Sequence, residues 1–253
     1  MNKSNLFKSI KKLLLVIIAC LFTASCSNHL QDKKSLITND PFEKYNRKIH
    51  QFNKTIDTVS LLPASQIYGN TVPKQFRLSA ASFYNNLQEP KRFANHIVQG
   101  QFKRASIDFR RFILNSTIGL LGLFDTASWL NFFPEETNFD ETFAYWSIHS
   151  GPYVEIPFLG PSSLRGSFGL FLDYTVNPLL MLSGPAPSLS FASLEIINII
   201  NARYEYTEAI DTLLYQSSDS YSSSRLTYYQ KSKSRGQKQE ELAFELFDPS
   251  EEF

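Results

Sequence analysis

Only two cysteines occur among the 253 residues, Cys20 and Cys26, and both lie near the start of the chain. If the first leaves with a processing signal and the second is modified, no thiol remains for a disulfide, a thiolate metal site or a nucleophile. Histidine is scarce too. His29, His50, His96 and His149 are the four, and no two stand at metal-ligand spacing, so no metal is expected. No G-x-x-x-x-G-K-[ST] sequence provides a nucleotide site. His149-Ser150 is an adjacent base and hydroxyl without a G-x-S-x-G elbow around it, and Glu135-Glu136 and Asp140-Glu141 read as solvated charge. The sequence therefore offers no catalytic residue and no cofactor site; it reads as a non-enzyme. Charge of one sign is also lacking. Without the four lysines that precede Cys26 the balance is 21 basic against 24 acidic residues, too even to imply nucleic acid. Helical repeats and long coiled coils, common in scaffold proteins, are absent.

Long uninterrupted apolar runs are lacking as well, with one exception. Leu13 to Ala24 is broken only by Thr23, and Lys3, Lys8, Lys11 and Lys12 stand before it, so residues 1–25 read as a signal peptide. Thr23-Ala24-Ser25 leads with small residues into Cys26 and resembles a bacterial lipobox. That resemblance implies acylation of Cys26, with Ser27 rather than Asp behind it, the pattern of sorting to the outer membrane. Thr23 stands where Leu is usual; lipidation at Cys20 and plain secretory cleavage near Ser25 are the alternatives.

Aromatics are abundant, 14% of the chain with 22 Phe, which suits a membrane interface or a large core. Residues 26–39 are polar and aperiodic, a tether. Asp40-Pro41-Phe42-Glu43 reads as a helix start, with Asp40 as N-cap and Glu43 reaching back. Phe42, Tyr45, Ile49, Phe52, Ile56 and Val59 then mark one helical face, opposite Lys44, Arg47, Lys48 and Lys54. Pro63 and Gly69 are expected to break the pattern between 61 and 72. Pro73 restarts it and Pro90 ends it, with a further helix over 91–99 closed by Gly100 and a fourth from about Gln101. Phe139 to Trp146 is a short helix, and 151–161 is at best a short extended run. A single domain over 40–231 is expected, followed by a flexible polar tail over 232–253.

The organising stretch is Arg110 to Trp129. Its apolar part, Phe112 to Phe124, is 13 residues, about 20 Å as a helix against a hydrocarbon core of roughly 30 Å. Asn115, Ser116 and Thr117 notch it, and Gly119 and Gly122 permit a bend. It is too short to cross a bilayer. A half-depth or interfacial segment fits, as does a buried core helix. Phe168 to Gly184, with Asp173, and Leu189 to Ile200, with Glu195, are broken in the same way.

The order and spacing of several short motifs over nearly the whole mature length resemble the MlaA (VacJ) family of outer-membrane lipoproteins. The matching residues include Asp40-Pro41, Tyr45-Asn46-Arg47, Phe52-Asn53, Asn86 with Glu89-Pro90, Gln99-Gly100, Arg111-Phe112, Asn115, Gly119, Gly122 and Asp125. Gly151-Pro152-Tyr153, Pro157, Gly160-Pro161-Ser162, Asp173 and Gln216-Ser217-Ser218-Asp219 continue the series. Gly166, Ser147-Ile148-His149-Ser150 and Ser220 depart from the family pattern. The resemblance implies an all-α, ring-like arrangement of amphipathic and half-depth helices in the inner leaflet of the outer membrane, joined by short irregular connections. It implies a periplasm-facing, lipid-anchored protein that returns mislocalised phospholipids from the outer leaflet to a periplasmic lipid carrier of the Mla pathway, with trimeric porin as neighbour. Asn115, Ser116, Thr117 and Asp173 are then candidates for the polar lining of the lipid path, against capping or a buried hydrogen bond. A non-catalytic envelope scaffold and, further off, a lipid hydrolase are the rival functions.

Overall fold

The computed structural model describes residues 40–175 and 185–246, with side chains described over 40–175 and 192–235. The signal peptide, Cys26 and the tether fall outside the described residues. Contacts divide the chain into Met1–Asn39 and Asp40–Phe253, and the second unit is described here.

Asp40 starts the fold, by a slightly different device from a simple cap. Its Oδ1 accepts the Phe42 N–H at 2.9 Å, while the helix proper, α1, runs over Glu43–Ile56. Glu43 does not reach back; it pairs with Arg47 at 2.8 Å, one turn on. The expected break after Val59 is not a break. A π-helical turn, Asp57–Leu61, carries the chain into α2, Leu62–Thr71. The wider i→i+5 pattern, with Leu62 N–H on the Asp57 carbonyl, lets Pro63 enter at the first turn of α2, where its missing N–H costs no bond.

Pro90 likewise sits inside one long helix, α3 (Lys74–Val98), and does not divide it. Pro90 leaves the Asn86 carbonyl without its usual donor, and the extensive side-chain bonding of this helix offsets that loss. Gly100 closes α3 as expected, with Gln101 N–H on the His96 carbonyl and Gly100 N–H on that of Ile97, a Schellman closure. α4 (Phe102–Thr117) returns antiparallel along α3, and their pairing is the largest helix contact in the fold. A tight turn leads to α5 (Thr126–Trp129), then to α6 (Phe139–Tyr145), whose Asn138 cap accepts the Glu141 N–H at 2.9 Å.

The run over 151–161 forms more than a short extended piece. β1 (Tyr153–Ile156) and β2 (Gly160–Ser163) make an antiparallel hairpin, Tyr153 opposite Ser163 and Ile156 opposite Gly160. Its outer edge is satisfied by two asparagines seven residues apart on α1. Asn46 donates to the Tyr153 carbonyl (3.1 Å) and accepts the Glu155 N–H (2.9 Å); Asn53 donates to the Ile156 carbonyl (3.0 Å) and accepts the Phe158 N–H (2.7 Å). Two side-chain amides thus stand in for a neighbouring strand.

α7 (Leu164–Thr175), α8 (Pro185–Glu205), α9 (Thr207–Asp211), a second π turn (Thr212–Gln216) and α10 (Ser220–Leu246) complete the chain. Residues 176–184, part of the second apolar stretch, lie outside the described residues. Where the sequence suggests a tail, α10 runs on beyond Lys231, and Arg235 pairs with Glu141 at 2.8 Å. Its Lys, Arg, Gln and Glu residues are good helix formers despite their polarity. No described helix is long and apolar enough to cross a membrane.

Two joints of this fold are open to test. A Cβ on Gly69 would stand 2.1 Å from the Tyr204 ring, so α2 and α8 pack only because position 69 has no side chain. Gly69→Val should cost about 1–3 kcal/mol, read as a fall in the thermal midpoint of the detergent-solubilised protein, and Tyr204→Ala in the same chain should recover much of it. An unchanged midpoint would contradict this packing. At the second joint the Arg47 guanidinium forks onto Asp219 (3.0 and 2.9 Å) and holds its carboxyl well below the usual carboxylate range. With the folded value depressed, this stabilisation is complete above the unfolded value of about 3.9 and is lost as pH falls through the lower folded one. Both side chains are 42% exposed, so the effect is below about 1 kcal/mol. Arg47→Gln should flatten the acid limb of the stability curve by that amount, measured by denaturant titration across the pH range.

Candidate functional site

The amphipathic helices of this protein are turned inside out relative to a water-soluble fold. On α1 the buried side chains are Asn46 and His50, followed by Asp57, whereas Phe42, Tyr45, Phe52 and Val59, the apolar face seen in the sequence, are exposed. On α3 the buried positions are Arg77, Asn86, Gln88, Glu89, Arg92, Asn95 and His96, and Phe76, Leu78, Phe93, Ile97 and Val98 point outward. α4 repeats the arrangement, with Asp108, Arg111 and Asn115 inside and Phe102, Phe109 and Ile113 outside. Among the described residues the fully buried apolar side chains are Ala105, Ala127, Tyr153 and Tyr221. In water such a surface would be unstable to association.

The polar interior is tied together by hydrogen bonds and ion pairs. Arg111, 1% exposed, donates Nε to Glu89 (2.7 Å), Nη1 to Ser128 Oγ (3.1 Å) and to the Phe132 carbonyl, and Nη2 to Asp125 (3.3 Å). Arg92 stands 3.3 Å from the same Glu89 and reaches Glu136. His96 pairs with Asp108, and Gln99 donates to Thr137 and Thr142, each at 2.8 Å. Burial pushes the Glu89 and Asp108 carboxyls up, against the pull of Arg92 and Arg111 on the first and His96 on the second. A second set joins Arg203 to Asp57 (2.8 and 3.1 Å) and Asp211 (2.6 Å), with Tyr215 donating to Asp57 at 2.7 Å. The π turn at Asp57 aims this carboxylate inward.

The organising stretch forms a tip. After Thr117 the chain turns with positive φ at Leu120, Leu121 and Gly122, displaying Ile118, Leu120, Leu121, Leu123 and Phe124. Gly122 N–H bonds the Asn115 carbonyl at 2.7 Å and Phe124 N–H that of Gly119 at 3.0 Å. A Cβ on Gly119 would lie 2.3 Å from the Phe124 carbonyl oxygen, and one on Gly122 2.5 Å from Asn86 Cβ, so the turn requires both glycines.

Asn115 is 2% exposed behind this tip. It donates to Asp125 (3.1 Å) and accepts from the Thr126 hydroxyl (3.1 Å) and the Ala127 N–H (2.9 Å). Ser116 accepts from Asn86 at 3.0 Å, exposed Thr117 donates back to the Ile113 carbonyl, and Asp173, on α7, accepts the Phe139 N–H at 3.3 Å. Asn115, Ser116 and Thr117 thus share the α4 end with Asp125, Gly119 and Gly122, and Asp173 stands apart from them. Asp40, 1% exposed at its side chain, gathers Asn46, Tyr221 and Arg225. Asn53 bonds the hairpin edge from α1, Pro157 and Gly160 belong to the hairpin itself, and Gly151 and Pro152 to its approach.

Sequence reasoning passed over Arg92, Asp108, Glu155 and Arg203, and it named Asn46, His50 and His96 without placing them in the interior. For the helical ones the signal was the three- and four-residue spacing of polar positions opposite the apolar stripe; Glu155, on β1, carried none. His50 joins Glu155 (Nδ1, 3.1 Å) to Ser220 (Nε2, 3.0 Å), the order of a hydrolase relay. His50 and Glu155 are buried, Tyr221 packs edge-on against the imidazole and Tyr153 donates to Glu155, so the relay ties α1, β1 and α10 together. His149 Nδ1 accepts the Gly151 N–H at 3.0 Å. No group of metal-binding side chains exists among the described residues.

A family model described as MlaA lipoprotein matches residues 38–235. The intermembrane phospholipid transport system lipoprotein MlaA of Escherichia coli (strain K12) is 32% identical over 197 residues, 76% of each chain. Its namesake from Haemophilus influenzae is 29% identical over 225 residues, 87% of this chain and 88% of the relative. A solved structure described as the structural basis for maintenance of bacterial outer membrane lipid asymmetry matches with a TM-score of 0.68 at 32% identity, covering 78% of this chain and 99% of that one.

The geometry separates two neighbouring polar residues of the tip. Asn115→Leu strands the Ala127 N–H and takes a donor from Asp125, and should cost about 2 kcal/mol or more, whereas Thr117→Ala should change stability by less than about 0.5 kcal/mol. Equal denaturant midpoints for the two variants would refute the buried role of Asn115.

Proposed function

Because the chain belongs to the MlaA lipoprotein family, we propose that it is an outer-membrane lipoprotein for retrograde phospholipid transport. Anchored through acylated Cys26, it takes phospholipids that have strayed into the outer leaflet and passes them to a periplasmic lipid carrier, with trimeric porin as neighbour. The observation that carries this reading is the inversion of polarity: apolar side chains outward along α1, α3, α4 and the tip, charged and amide side chains inward. Such a body is at home among acyl chains, and its polar interior gives a headgroup something to exchange for water. Relatives named as intermembrane phospholipid transport lipoproteins support the same reading. Exposed Thr117 and half-buried Ser116 border the lipid route, and Asn115 and Asp173 hold its wall from behind. Moving a lipid without an energy source in the chain leaves direction to the downstream carrier.

The test is the amount of phosphatidylethanolamine in the outer leaflet, read with an amine-reactive reagent that cannot pass the outer membrane. Deleting the gene should raise it; the wild type should restore it, and Cys26→Ala should not. No rise on deletion, in cells with an intact envelope, would instead favour a structural scaffold.

A further inference from the structure

A cavity of about 210 Å³ lies between α6, β2, the start of α7 and α10. Arg165, Lys231 and Arg235 line it together with Asp140, Glu141 and Tyr228. Its volume is below the roughly 300–1,000 Å³ of sites for drug-sized ligands, so it admits a small polar group and not an acyl chain.

The charges are fixed in place. Arg165 donates to Asp140 and to the Ile148 carbonyl, each at 2.6 Å, and Arg235 pairs with Glu141 at 2.8 Å. Lys231 has no ion-pair partner among the described residues, which leaves three cations against two carboxylates. Burial pushes the Glu141 carboxyl up, with Arg235 opposing, so the acidic wall is sensitive to a nearby cation. Leu164, next to Arg165 in the sequence, is 57% exposed and apolar.

We propose that this cavity binds the phosphodiester of a zwitterionic phospholipid headgroup. The phosphate meets Lys231 and the guanidiniums of Arg165 and Arg235, and the ammonium meets Asp140 and Glu141. Guanidinium and ammonium donors are the usual partners of phosphate oxygens. Each carboxylate already holds a guanidinium, so a phosphate alone meets their like charge, which an ammonium on the same headgroup offsets; this discriminates against a headgroup that carries only negative charge and hydroxyls. The inference rests on the lipid-handling function above and gives it a headgroup preference.

The full-length lipidated protein, purified in a non-phospholipid detergent, would be exposed to mixed micelles of phosphatidylethanolamine or phosphatidylglycerol, and retained lipid counted by native mass spectrometry. Wild type should retain phosphatidylethanolamine in preference to phosphatidylglycerol. Lys231→Ala with Arg235→Gln should lower that retention about tenfold, with helix content unchanged by circular dichroism, and Lys231→Arg alone should keep it. Inorganic phosphate should displace the lipid less well than glycerophosphoethanolamine. Equal retention by the double variant overturns the site, and equal retention of the two lipids overturns the zwitterion preference. Displacement by phosphate as effective as by glycerophosphoethanolamine would make the cavity a free-anion site. A wild type that retains neither lipid would instead count against the lipid-handling function itself.

Discussion

Everything in this fold depends on satisfying charge that water cannot reach. A guanidinium or carboxylate removed from solvent costs several kcal/mol unless donors and acceptors around it are complete. Arg111 meets this with partners on α3, in the turn after α4 and on α5, so one side chain fixes how three segments meet. Arg203 joins the first π turn, α8 and α9 through its Nε and Nη2. Where a soluble protein assembles by burying leucine and phenylalanine, this one assembles by completing hydrogen bonds. The dependence is directional, and a directional interior specifies geometry more sharply than an oily one.

Much of the helical content was legible in the sequence, because spacing survives inversion. The α1 stripe from Phe42 to Val59, the restart at Pro73, the Gly100 closure and the α6 helix all stand where the pattern put them. The sequence does not say which face turns inward. Phe42 and Val59 look like core by the rule for water and are exterior here, and only the short apolar lengths and the lipobox-like start hinted at another solvent. Breaks were over-read for a related reason. Pro63 and Pro90 stop isolated helices, but a π turn absorbs one and tertiary bonding the other.

The recurring motifs of the sequence have plain structural meanings. Asp40-Pro41 begins α1 and binds Tyr221 from the last helix; Asn46 and Asn53 complete the hairpin edge; Glu89 is the acceptor shared by Arg92 and Arg111; Asp125 holds Asn115, Ser128 and Arg111 together. Asp173, far from Asn115 in sequence, serves the start of α6. Spacing within one helix could align such residues, but pairing them across the chain needed coordinates.

The bond between Asp40 and Tyr221 spans 181 residues of chain. Closing so long a loop is slow, and its entropic cost is met only when the contact forms. Because α10 supplies the partner, the first helix cannot be locked until nearly the whole polypeptide has been made. Until then the apolar faces of α1, α3 and α4 stand ready while their polar ties are incomplete, a state prone to aggregation. The architecture therefore ties the locking of its first helix to the completion of its last.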